Sequence, residues 1–197
     1  MKKEALEAAK AAFMIEAEEL TRAGGVMDDE ALSKTVDILA KSQRIGASGC
    51  GHSGIACQHF AHLMCCIELP TKFIPPSEAV HGGMGFLKKD DVLVLASRGG
   101  KTAELIPMME IAHTKGVIVV VITENLHSPL ATGADVVLPM DVKRETDKYN
   151  SQGTSSFVVL SAIFDALQAA LIEETDYKNE QFALIHPGGA VGDRLNK

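Results

Sequence analysis

The stretch Arg44-Ile45-Gly46-Ala47-Ser48-Gly49-Cys50-Gly51-His52-Ser53-Gly54 carries a short strand into glycines at 49, 51 and 54, after which helical spacing continues to about Cys66. A strand, a glycine-rich turn and a helix form the repeating unit of parallel α/β folds, so the flanking sequence is read for more of them. Strands are predicted at Lys72-Phe73-Ile74 and over residues 91–97, 117–123 and 136–140, with a helix over 102–114 and a short one near 128–132. These strands are continuous apolar runs, which a parallel sheet covered on both faces requires. The expected fold is a three-layer α/β/α sandwich around a five-stranded parallel sheet.

Upstream, residues 3–20 repeat apolar side chains at helical spacing, and Gly24-Gly25 is expected to stop that helix. Asp28-Asp29-Glu30 then supplies acid at the start of a second helix with Leu32, Val36, Ile38 and Leu39 on its apolar face, ending near Lys41. Downstream, residues 157–172 suit a buried helix, and a last segment over 180–184 precedes Ile185-His186-Pro187-Gly188-Gly189. Without an internal repeat or linker, residues 1–197 read as one domain, with N-terminal helices over 1–42 and an α/β core over 43–197.

Composition narrows the function classes. Hydrophobic residues make up 46% and charged residues 23% of the 197, with 17 Gly and 7 Pro, as in an ordinary globular protein. Nineteen Lys and Arg against 26 Asp and Glu give a net charge of −7 with no basic block, which weighs against nucleic acid as a partner. Glu4, Glu7, Glu16, Glu18 and Glu19 interrupt the N-terminal region where an export signal needs an apolar run. The strongly apolar runs 91–96 and 116–123 are strand-sized, so no membrane segment is expected. Cys50, Cys57 and the pair Cys65-Cys66 contain no C-x-x-C spacing, which fits a reduced, cytoplasmic protein.

Two loops could hold an anion. In Gly49-Cys50-Gly51-His52-Ser53-Gly54 the glycines allow close backbone approach, Ser53 offers a hydroxyl, and the helix that follows aims its amides and positive dipole at the turn. The same glycines would also serve a packing turn. Gly54 completes a dinucleotide-type G-x-G-x-x-G, yet the next strand carries Lys72 and Phe73 where a ribose-binding acid belongs. The second loop, Ser97-Arg98-Gly99-Gly100-Lys101-Thr102-Ala103-Glu104, gathers two hydroxyls, two glycines and two cations at a strand end, suited to a phosphate outside a P-loop. Thr102 could equally be a helix cap after a Gly-Gly turn.

His81 before Gly82-Gly83 and His186 before Pro187-Gly188-Gly189 sit in glycine loops, where an imidazole can reach a ligand and pass protons near neutral pH. His59, His62 and Cys66 share one helix face; a zinc site there would need a fourth ligand from elsewhere. Cys57 and Cys65 read as small buried residues.

Taken in order, G-x-G-x-S-G at 49–54, A-V-H-G-G-x-G at 79–85, S-x-x-G-x-T-x-E at 97–104, T-S-S at 154–156 and F-A-L-x-H-P-G-G-A-x-G at 182–192 resemble the sugar isomerase (SIS) domain of arabinose-5-phosphate isomerases. The resemblance implies a flavodoxin-like sandwich that binds a phosphosugar at the strand C-termini. It also implies a homodimer or homotetramer with active sites shared between subunits, and no cofactor or obligatory metal. It places phosphate-binding hydroxyls on Ser53, Ser97 and Thr102, with Gly51, His52 and Gly100 in the same loops, and catalytic or sugar-contacting roles on His81, Glu104, Glu145 and His186. Aldose–ketose interconversion moves a proton between C1 and C2 through an enediolate, work for which two carboxylates and two histidines suffice. The alternative is a non-catalytic phosphosugar-binding regulator, which needs the phosphate cradle but not the proton-transfer set.

Departures from the family pattern fall inside these motifs. His52 replaces a lysine, and Arg98, Gly99 and Lys101 alter a loop that usually reads S-N-S-G-E-T. Asp147-Lys148-Tyr149-Asn150 stands where the family has C-P-L-G, and nothing resembles the paired CBS modules that many members carry. The sugar could therefore differ from arabinose 5-phosphate.

Overall fold

The computed structural model describes residues 1–196. Two helices lead in, α1 (Lys3–Gly25) and α2 (Asp29–Lys41), the second capped by the Asp28 side chain accepting from the Ala31 amide at 2.8 Å. The α/β alternation then runs β1 (Ile45–Gly49), α3 (Gly51–Cys65), β2 (Thr71–Phe73), α4 (Pro76–Ala79) and a 3-10 helix at Gly83–Phe86. It continues with β3 (Val92–Ala96), α5 (Ile106–Lys115), β4 (Ile118–Thr123), α6 (Pro129–Gly133) and β5 (Val136–Pro139). Three helices follow, α7 (Ser155–Glu174), α8 (Asn179–Ile185) and α9 (Gly189–Leu195).

The five strands are all parallel in the order β2-β1-β3-β4-β5. Successive side chains on a strand point to opposite faces, and β3 shows the consequence directly. Val92, Val94 and Ala96 join a core with Leu39, Phe60 and Phe164, whereas Leu93 and Leu95 join a second core with Leu105, Met108 and Leu130. The first face is covered by α1, α2, α3 and α7, the second by α5, α6 and the 3-10 helix. The β-branched run of β4, buried from Val119 to Thr123, suits a strand sandwiched in this way.

Several element boundaries differ from the sequence reading. The first helix runs through Gly24 and ends at Gly25, because a solvent-exposed glycine weakens a helix by about 1 kcal/mol without breaking it. The helix expected from residue 102 begins at Ile106, with Pro107 in its first turn where a missing amide is harmless, and residues 102–105 form a turn instead. Short α4, the 3-10 helix and α9 were not expected, since their glycines and prolines resemble loop sequence. In α9, a Cβ on Gly192 would fall 2.5 Å from the Pro187 carbonyl carbon, so this helix begins as a close backbone approach. Cys57 is buried as expected, but Cys65 is exposed, and all four cysteines are free thiols.

The apolar run that matters for the membrane question is longer than a strand. By length and composition, the 20-residue α7 could cross a bilayer. Its buried stripe of Val159, Leu160, Ile163, Phe164, Leu167 and Leu171 packs on α1, α2 and α3, which makes it the central helix of the first core.

Candidate active site

In a parallel α/β sheet, ligands bind beyond the carboxyl ends of the strands, and the two glycine loops lie there. Gly49 closes β1, and a Cβ on Gly54 would stand 2.6 Å from the Gly49 carbonyl oxygen, so the start of α3 rests directly on the strand end. Between them, Gly51 adopts φ +56° with open space around its Cα. Ser53 lies half-buried in the first turn of α3.

The loop after β3 is tightly folded. The Ser97 and Thr102 hydroxyls are hydrogen-bonded at 2.8 Å, and the Gly100 amide donates to Ser97 Oγ at 3.1 Å. Gly100 adopts φ +64°, and a Cβ there would overlap Ser128 Oγ at 1.9 Å, so the position admits glycine alone. Thr102 therefore holds a turn and does not cap a helix.

Gly51, His81 and Glu104 come together along a cleft of about 640 Å³, with Cys50 and Pro107 on its walls. The Cys50 thiol is pushed up from its ordinary pKa by burial and then by the Glu104 carboxylate, which keeps it a neutral thiol. This cleft joins an exposed carboxylate, an imidazole and glycine backbone, the parts that proton transfer beside an oxyanion requires.

His52, Glu145 and His186 do not line this cleft. The His52 ring packs edge-on to Phe157 with centroids 6.3 Å apart, and a Cβ on Gly153 would reach to 2.8 Å from its Nδ1. Glu145 is buried, and both its oxygens are bonded: Arg98 Nη1 donates to Oε1 at 2.6 Å, while Thr154 Oγ1 and the Ser156 amide donate to Oε2 at 3.1 and 3.2 Å. Burial alone would raise its pKa, but hydrogen bonds from Ser156 and Thr154 and the Arg98 charge together hold it below the ordinary carboxylate value.

His186 follows α8 with its ring 5.0 Å from that of Phe182, lining a separate cleft with His62, Cys66 and Tyr177. Those residues stand at the far end of α3 from Gly51, a separation of about 20 Å along a 15-residue helix. A single chain therefore does not bring His186 to Glu104. His186 Nδ1 is buried and has no hydrogen-bond partner among the described residues. Nor do His59, His62 and Cys66 complete a metal site; among the described residues no three His, Cys, Asp or Glu side chains are grouped to hold an ion.

Arg98 is the participant that sequence spacing does not reveal. Its partners Glu124, Val142 and Glu145 lie 26 to 47 residues away, and only its departure from the usual loop sequence marks it.

The SIS domain family model matches residues 38–170, and the chain belongs to this family of sugar isomerase domains. It is 38% identical over 158 residues to the arabinose 5-phosphate isomerase KdsD of Pseudomonas aeruginosa, covering 80% of this chain and 48% of KdsD. The chain spans about half the length of such curated relatives. Among solved structures, a protein of Listeria monocytogenes strain 4b F2365 superimposes with a TM-score of 0.90 at 40% identity, covering 95% of this chain and all of that one. An Escherichia coli CFT073 protein in complex with A5P superimposes with a TM-score of 0.85 at 27% identity, covering 95% of this chain and all of that one.

Proposed function

We propose that this protein is a phosphosugar isomerase that interconverts an aldose phosphate and a ketose phosphate of the arabinose-5-phosphate/ribulose-5-phosphate type. The observation that carries the reading is the placement of Glu104 and His81 on one cleft beside the Ser97–Thr102 turn. Ser53, Ser97 and Thr102 with the amides around Gly100 take the phosphate, and Gly51 lets the sugar approach the backbone. Glu104 moves the proton between C1 and C2, and His81 serves ring opening and the enediolate oxygen. His186 comes from a neighbouring subunit, so the working form is a homodimer or homotetramer. Glu145 contributes a fixed negative charge, and His52 steadies the loop before α7. The four free thiols suit a cytoplasmic location. The relationship to arabinose 5-phosphate isomerases and to a structure holding A5P supports the substrate class.

The test is a panel of aldose and ketose phosphates incubated with the enzyme in deuterated water and followed by NMR. Deuterium entering C2 of an aldose phosphate, with formation of the matching ketose phosphate, is the expected result. Tight binding of a sugar phosphate without exchange would replace the isomerase by a phosphosugar-binding regulator.

A further inference from the structure

Arg98 stands one residue beyond Ser97, yet its side chain turns away from the Ser97–Thr102 turn and across the sheet's edge. Nε donates to Glu124 Oε2 at 2.6 Å, Nη1 to Glu145 Oε1 at 2.6 Å and Nη2 to the Val142 carbonyl at 2.7 Å. Its own carbonyl accepts from Thr123 Oγ1 at 2.9 Å and from the Glu124 amide at 3.0 Å. Glu124 completes the circuit, Oε1 accepting from the Val142 amide at 2.6 Å. One planar guanidinium thus ties the ends of β3, β4 and β5 together, a geometry that a lysine ammonium cannot reproduce.

The other charges of this region are turned elsewhere. Lys143 pairs with Asp141 and gives its amide to Glu19 of α1, and Arg144 faces Glu18 at 3.7 Å. Asp147 accepts from the amides of Tyr149, Ser151 and Gln152. Among the described residues Arg98 is therefore the cation paired with Glu145, with Glu124 the competing carboxylate on the same guanidinium.

We propose that Arg98 is a positioning residue of the site: it joins the loops after β3, β4 and β5 into one body and fixes Glu145 there as an immobile carboxylate, leaving proton transfer to Glu104. The part concerning turnover rests on the isomerase reading; the part concerning Glu145 does not. Removing the guanidinium leaves a buried carboxylate with its hydrogen bonds from Thr154 and Ser156 but without its cation, which raises its pKa.

The experiment uses the full chain with Arg98→Met and Arg98→Lys. The Glu145 carboxyl is followed by carbon-13 NMR against pH, its signal assigned with Glu145→Gln. In Arg98→Met the midpoint should rise above that of wild type; in Arg98→Lys, where one ammonium cannot serve both carboxylates, it should fall between the two. The acid limb of kcat/KM for a pentose phosphate should move to higher pH in the same order. If Arg98→Met does not fold, Arg98→Lys decides. A Glu145 midpoint and an acid limb unchanged from wild type in the folded variants would overturn the proposal. Absence of turnover in every protein, wild type included, would remove the isomerase reading, while the carboxyl titration would still decide the role of Arg98.

Discussion

The Ser97 and Thr102 hydroxyls face each other at 2.8 Å across the turn that follows β3. One hydroxyl donates to the other in the free protein, so one of the two donor protons must leave this bond to reach an incoming phosphate. Hydrogen bonds to a charged group contribute about 1.5 to 3 kcal/mol each, from which the exchanged bond of about 1 kcal/mol is deducted. The double variant Ser97→Ala/Thr102→Ala should therefore bind a sugar phosphate about 30- to 5,000-fold more weakly in calorimetry. Wild-type affinity in that variant would take the phosphate away from this turn.

Gly100 and Gly51 both adopt positive φ, but only Gly100 meets a neighbour, Ser128 Oγ, where its Cβ would be. Gly51→Ala should cost the backbone strain alone, about 1 to 3 kcal/mol. Gly100→Ala should cost more, because Ser128, which caps α6 by accepting from the Ala131 amide, must also move. Urea unfolding of both variants measures the difference, and equal losses would contradict the overlap.

The acid stability of the protein should carry the signature of Glu145. Its folded pKa lies below the ordinary value, so its contribution is present above the unfolded pKa and is lost as pH falls through the folded one. Glu145→Gln should be less stable than wild type at pH 7 and lose less stability on acidification. Urea midpoints measured from pH 7 to pH 3 would show two converging curves; parallel curves would mean that the Glu145 charge does not contribute.

His186 and Glu104 lie near opposite ends of α3, so sharing across subunits can be tested by mixing. Glu104→Gln and His186→Ala homo-oligomers should each be inactive, and co-refolded mixtures should recover a fraction of wild-type turnover. Light scattering should report at least a dimer. A fully active monomer, or no recovery on mixing, would place the whole site within one chain.

What the sequence conveyed and what it withheld follow from the range of the interactions. β3 and β4 were legible because burial on both faces writes an unbroken apolar run into neighbouring residues. The turn at 49–54 was legible because close strand–helix approach admits only glycine at Gly54. The beginning of α5 was not, since residues 102–105 have ordinary helical character and only the partnership of Thr102 with Ser97 draws them into a turn. The Arg98 network connects residues 47 positions apart and leaves no period to read. His52 stands where the family carries a lysine, and its aromatic neighbour Phe157 comes from 105 residues downstream, a contact that leaves no local period to read.

The position of α7 in the fold has a consequence for how the chain is made. It is the helix that α1, α2 and α3 all pack against, and it is synthesised after every strand. Until residue 174 has been synthesised, the core face shared by α1, α2 and α3 lacks the helix they all pack against. Such long-range closure slows folding and leaves intermediates prone to aggregation. Chaperone dependence during translation should accordingly track the arrival of α7.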